Sequence, residues 1–278
     1  MTMPKANEIA KRFHKPLIMG IVNCTPDSFH EKSRANTFEA AVERALTLAE
    51  EGADILDFGG QSTRPGAEDV SVDVERSRVI PVVKAVALKT KIKISIDTTK
   101  AAIAAEAIDA GASILNDVSA LRADKGMLSV ALKAERVILM HMLGTPATMQ
   151  NAPVYTDVFG EVFSFLRDRL NSFVAAGGRA DRVVVDPGIG FGKNLDDNLT
   201  LIRRSIEFSA IAPVLLGVSR KSFLGKILND NDIENRLSGS LAVAAYAAMS
   251  GVSMVRVHDV LETRRVLETL RVVVEGVK

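Results

Sequence analysis

Eight short apolar runs, each ending on a residue able to do chemistry, constrain this chain more than any other feature. Residues 17–22 run into Asn23, 54–58 into Gly59, Gly60 and Thr63, and 92–96 end at Asp97. Residues 113–115 stop at Asn116, 137–140 at His141 and 183–185 at Asp186. Residues 213–218 lead to Ser219 and Lys221, and 253–257 carry Arg256 and lead to His258. Each gap is long enough for a helix. In a (β/α)8 barrel the loops after the strands converge on one spot, and the active site gathers there. Eight reactive strand ends therefore predict a single site assembled from all round a TIM barrel.

The 278 residues and 47% apolar content suit one such domain, with no linker-like stretch to divide it. The expected organisation is an N-terminal extension over 1–15 followed by a barrel over 16–278. Several runs, among them 17–22, 137–140 and 213–218, lack polar alternation, as strands covered on both faces do. An open doubly wound sheet is the other architecture such strands could build. It normally carries a Gly-rich fingerprint after the first strand, and MGIVNCTPDSF is no such fingerprint.

The helices are punctuated by glycine. Thr37 opens a stretch whose apolar positions Phe38, Val42, Ala45, Leu46 and Ala49 follow the helical period, ending at Gly52. Gly111 and Gly251 repeat this device ahead of Ser113 and Ser253. Val260, Leu267, Leu270 and Val274 form the stripe of a last helix that would close the ring.

A net charge of +1 removes the electrostatic footprint of a general nucleic-acid binder. No run is long enough to span a membrane and the N-terminus lacks an apolar signal core. A single cysteine, Cys24, excludes an internal disulfide and suits a reducing compartment. A cytoplasmic protein is expected, with Cys24 as a small buried filler.

Two constellations carry chemistry. Ser219–Ser222 and Arg256–Asp259 follow the seventh and eighth runs, where such barrels cradle phosphate, and their cations and hydroxyls suit an anion. Asp97, Asn116 and Asp186 form an acceptor-rich group. Carboxylates in an apolar barrel mouth must be paired or hydrogen-bonded, and a flat heterocycle rich in N–H groups, or a cation, would satisfy them. Loops 23–29 and 59–66 have the turn-rich, hydroxylated composition of lids, and the glycines of 186–193 let backbone approach a ligand. His14 is expected at the surface and His141 as a satisfied structural histidine.

Taken together, MGIVNCTPDSF, GGQSTRPGA, SIDTTKA, NDVSAL, MHMLGTP, DPGIGFGKN, GVSRKSFLG, RLSGSLA and RVHDV resemble the dihydropteroate synthase family. The resemblance spans about 16–273. It implies condensation of 6-hydroxymethyl-7,8-dihydropterin pyrophosphate with p-aminobenzoate, in folate biosynthesis, by dissociative substitution through a pterin carbocation. It further implies that Asp97, Asn116, Asp186 and Lys221 hold the pterin, and that Thr63, Arg256 and His258 grip the pyrophosphate. Asn23 would ligate Mg²⁺, while Arg64, Pro65, Phe191 and Ser222 would surround the amine. Asp97, Lys221, Arg256 and His258 are the expected catalytic residues, and a homodimer formed through barrel helices the expected assembly.

The chain departs from the family's usual pattern after TPDSF, where Ser-Asp-Gly-Gly is replaced by His30-Glu31-Lys32-Ser33. This bears on loop closure, amine affinity and sulfonamide response. Gln61 stands where the family commonly has Glu. Two other readings are a catalytically impaired pterin-binding protein and a methyltetrahydrofolate–corrinoid methyltransferase. The latter needs no pyrophosphate grip, which SRKSF, RVHD and STRPGA supply.

Overall fold

The structure is a computed structural model that describes residues 13–25, 37–63, 66–145, 147–149 and 153–276. His30–Ser33, Arg64, Pro65 and residues 1–12 of the expected extension lie outside the described residues.

Strands and helices alternate as the apolar runs predict. The strands are β1 Leu17–Asn23, β2 Ile55–Gly59, β3 Lys93–Asp97, β4 Ile114–Asp117, β5 Arg136–Met140, β6 Val183–Asp186, β7 Leu215–Gly217 and β8 Met254–Val257. Helices α1 Thr37–Glu51, α2 Val72–Ala87, α3 Ala101–Asp109, α4 Met127–Ala131 and α5 Val158–Ala175 follow β1 to β5. After β6 comes α6 Leu195–Arg203, then α7 Ser222–Leu228 and α8 Leu237–Ser250 between β7 and β8, and finally α9 Val260–Glu275.

The strands are parallel in the order β6-β5-β4-β3-β2-β1-β8-β7. A Val185–Val214 bridge joins the two ends, with Val185 N donating to Pro213 O at 2.9 Å. The sheet is thus a (β/α)8 barrel. That bridge explains why β7 is shorter than the 213–218 run: its first residues complete the seam with β6.

Gly52, Gly111 and Gly251 all have positive φ, of 98°, 117° and 84°, so the helix-ending glycines read from sequence reverse the chain as a left-handed cap does. Helix α9 packs on α1, α8 and β1, and its Val260 and Leu267 are buried. His14 is exposed.

Period-two alternation inside the barrel sets up the site. Met19, Ile55, Ile114, Ile138, Val184, Leu215 and Met254 form a closed apolar cluster of their own. Two residues further along the same strands, on the same inward face, stand Ile21, Asp57, Asn116, Met140, Asp186, Gly217 and Arg256. From β3, Asp97 joins this layer, in register with Gly59 and Asn116. An apolar floor beneath a polar layer leaves that layer facing the C-terminal mouth.

Candidate active site

Arg256 organises the polar layer. Its Nε donates to Asp57 Oδ2 at 2.6 Å and its Nη2 to Asp97 Oδ2 at 2.7 Å. Asn116 Nδ2 donates to the same Asp57 oxygen at 3.1 Å. Nη1 of Arg256 makes no hydrogen bond among the described residues, so the guanidinium keeps donors for an anion. One cation between two buried carboxylates leaves an excess negative charge. Burial is the main force that pushes the Asp97 carboxyl up to about 7; Arg256 opposes the rise and Asp57 adds to it.

Across the mouth, Asp186 Oδ1 accepts the Gly188 amide at 2.7 Å. Burial raises this carboxyl, with Lys221 pulling the other way. Lys221 Nζ donates to the Ile189 carbonyl and lies 4.5 Å from the centre of the Phe191 ring. Burial brings its ammonium down to about 8, against the pull of Asp186.

Gly217 keeps this space open. A methyl group there would sit 3.8 Å from both Asp186 Oδ2 and Lys221 Nζ and 3.9 Å from Arg256 Cβ. A carboxylate, an ammonium and the root of a guanidinium therefore surround one point left free by a missing side chain.

The other predicted residues lie on the strand ends and in the segments that follow them. Ser219 Oγ lies 3.0 Å from His258 Nδ1 and accepts the His258 amide at 3.2 Å, so the hydroxyl orients the imidazole. Asn23 is half-buried at the end of β1, in register with Gly59. Thr63 is half-buried and, with Asp97, borders a cavity of about 520 Å³ that extends past Thr98, Val118, Arg122 and Met142. Ser222 is exposed as the first residue of α7. Arg64 and Pro65, expected at the amine pocket, lie outside the described residues.

The two cations of Ser219–Ser222 part company. Arg220 turns away, clamped by Asp259 at 2.8 and 2.9 Å and by Glu234 at 2.7 Å. Its φ of 54° is what sends neighbouring side chains in different directions. Only Lys221 of this pair serves the mouth.

Several site residues escaped the sequence reading. Asp57 was hidden within an apolar run, although a carboxylate in the middle of such a run is itself a signal of an inward polar partner. Gly217 gave no signal at all. Glu75, buried on α2, accepts from Thr98 Oγ1 at 2.6 Å and from Lys100 Nζ at 2.8 Å. Lys100 also bonds Gln61 and, at 3.0 Å, Asp69, fastening both ends of the β2 loop that carries Thr63. His141 is buried, with its ring 4.8 Å from that of Phe165 in an edge contact, the structural placement its sequence context predicts. Cys24 is buried too, its thiol pushed up to about 12 by desolvation, as inert as a filler should be.

Comparison with known proteins agrees with this geometry. Residues 19–258 match the family model described as pterin binding enzyme. The dihydropteroate synthase of Escherichia coli strain K12 is 46% identical over 259 residues, covering 93% of this chain and 90% of the relative. Dihydropteroate synthase from Xanthomonas albilineans, solved with 4-aminobenzoic acid, superposes with a TM-score of 0.88 at 43% identity, covering 95% of this chain and 94% of that one. The same organism's enzyme in complex with 7,8-dihydropteroate gives a TM-score of 0.85 at 40% identity, over 95% of both chains. The chain belongs to the dihydropteroate synthase family of pterin-binding enzymes.

Proposed function

We propose that this chain joins 6-hydroxymethyl-7,8-dihydropterin pyrophosphate to p-aminobenzoate, giving 7,8-dihydropteroate and pyrophosphate. The observation that carries this reading is an acceptor layer of Asp97, Asn116 and Asp186, in which Arg256 and Asp57 tie Asp97 to Asn116, with Asp186, Lys221 and Arg256 meeting around the space at Gly217. The layer, with Lys221, suits the hydrogen-bonding edge of a pterin, and Arg256 suits the diphosphate. Purified protein supplied with both substrates is expected to form 7,8-dihydropteroate, detected by chromatography and mass; its absence would defeat the reading.

The C–O bond between the pterin methylene and pyrophosphate breaks first, and its electron pair leaves with the pyrophosphate. Arg256, through an Nη1 unengaged among the described residues, and His258, held by Ser219, receive the departing charge. The resulting carbocation is delocalised into the pterin ring and stabilised by the Asp97 carboxylate. The neutral amine nitrogen then attacks the methylene through its lone pair, and the resulting ammonium gives up its proton to solvent water at the mouth. Lys221 and Phe191 stand side by side at the mouth, where Phe191 would bound the amine pocket with Arg64, Pro65 and Ser222.

No three His, Cys, Asp or Glu side chains converge to cage a metal among the described residues. The fit is instead to an ion shared with the leaving group. Asn23 offers a hard side-chain oxygen of the kind Mg²⁺ accepts alongside phosphate oxygens and water. When bound, Mg²⁺ supplies charge neutralisation to the pyrophosphate. Asn23→Ala should raise the Mg²⁺ concentration for half-maximal activity about tenfold, as a ligand worth about 1.4 kcal/mol would. An unchanged Mg²⁺ titration would remove Asn23 from this role.

The pH profile follows from the two site groups. Asp97 must be ionised to stabilise the cation and Lys221 protonated to hold its partners, so kcat/KM should rise through about 7 and fall above about 8. A profile flat across both values would contradict these roles.

A homodimer is part of the reading. Ile227, Leu228, Ile233 and Tyr246 expose apolar surface along the packed α7–α8 segment, which supports helix-mediated pairing. Among the described residues no helix is long and apolar enough to cross a membrane, in keeping with a cytoplasmic enzyme of folate biosynthesis.

A further inference from the structure

Lys193 closes the glycine-rich segment after β6, and its ammonium is buried with only 3% of the residue exposed. Nζ donates to the carbonyls of Gly188 and Phe191, both at 2.9 Å, and sits 3.0 Å from His141 Nδ1. The His141 carbonyl is a fourth neighbour at 3.4 Å. The hydrogen bonds of Nζ go to backbone carbonyls and an imidazole lone pair and not to a carboxylate; burial brings the ammonium down to about 7, and the Asp186 carboxylate pulls the other way. His141 can offer that lone pair because burial and Lys193 hold its ring neutral, down to about 2.

This arrangement costs desolvation, and an apolar side chain would fill the same volume without that cost. What the ammonium adds is shape. Gly188, Gly190 and Gly192 all have positive φ, of 69°, 83° and 63°, a backbone with wide conformational freedom when untied. Gly188 also passes so close to the His141 carbonyl that a methyl group would lie 1.8 Å from its oxygen. The ammonium binds the loop to itself through Gly188 and Phe191, and to the end of β5 through His141.

Three site groups hang on that loop. The Gly188 amide holds Asp186 Oδ1, the Ile189 carbonyl receives Lys221 Nζ, and the Phe191 ring lies beside the same ammonium. We propose that Lys193 is a positioning residue for the reaction. Its buried ammonium fixes the 186–193 loop in the form that presents Asp186, Phe191 and the Lys221 anchor to the substrates. The inference rests on the function proposed above.

The test compares wild type, Lys193→Met and Lys193→Gln, each held well below its own melting temperature. Two readouts are used: binding of unreactive 6-hydroxymethyl-7,8-dihydropterin by calorimetry, and steady-state kinetics in p-aminobenzoate. Wild-type turnover establishes the function first; if it is absent, that reading fails, while the pterin-binding comparison still judges Lys193. Lys193→Met should weaken pterin binding, raise the amine KM and lower kcat/KM about 100-fold, the cost of an ångström-scale misplacement. Lys193→Gln, which keeps two donors, should fall between it and wild type. Pterin affinity and kinetic constants within about twofold of wild type, with only the melting temperature lowered, would make Lys193 a purely structural residue and overturn the proposal. If Lys193→Met does not fold, Lys193→Gln decides by the same criteria.

Discussion

Arg256→Met is expected to lower kcat/KM by about 1000-fold and to destabilise the fold by about 3–5 kcal/mol, the cost of stripping one partner from a buried ion pair. The two losses have separate origins. Stability falls because Asp57, with no exposed surface, and Asp97, with little, lose the cation they share. Activity is expected to fall because the leaving diphosphate would lose a guanidinium whose Nη1 is otherwise unengaged among the described residues. A double variant, Arg256→Met with Asp57→Asn, removes one of the stranded charges. It should recover much of the denaturant stability and none of the turnover. Recovery of both would show that Arg256 acts only as a strut.

Asp97→Asn should cost about 100- to 1000-fold in kcat while leaving pterin affinity much closer to wild type. An amide keeps the shape and an acceptor oxygen but offers no charge to a carbocation. Its stability signature is distinctive. The Asp97 carboxyl is raised from 3.8 to about 7 in the fold, so the protonated form is the one the folded state prefers. The stability contributed by that protonated group is complete below about 3.8 and is lost as pH rises through about 7. Asparagine does not titrate, so the stability difference should move in the variant's favour between those values. A difference independent of pH, or an unchanged kcat, would contradict the role given to Asp97.

Much of this site was legible because a barrel strand points alternate residues inward. A reactive residue that ends an apolar run, such as Asp97, Asn116 or Asp186, stands above the apolar floor of the barrel by the pleat alone. The helix-ending glycines were equally plain, since a left-handed reversal leaves few alternatives. Other features depend on contacts distant in sequence. Asp57 and Arg256 are 199 residues apart and meet only when β2 and β8 flank β1. Gly217 matters for the side chain it lacks. Arg220 and Lys221 look alike in sequence and separate because Arg220 takes a positive φ. Lys193 reads as an ordinary loop lysine until the loop folds back over it. Arg64 and Pro65, expected on the amine side, and the altered His30–Ser33 segment lie outside the described residues.

On this reading one barrel mouth activates a pterin diphosphate and hands its methylene to an arylamine. Pyrophosphate release by purified protein with 6-hydroxymethyl-7,8-dihydropterin pyrophosphate and Mg²⁺, measured with and without p-aminobenzoate, tests it most directly. Release that requires the amine and matches dihydropteroate formed, mole for mole, is the predicted result. Tight binding of the pterin without amine-dependent release would contradict it, leaving a chain that binds pterin and performs no transfer.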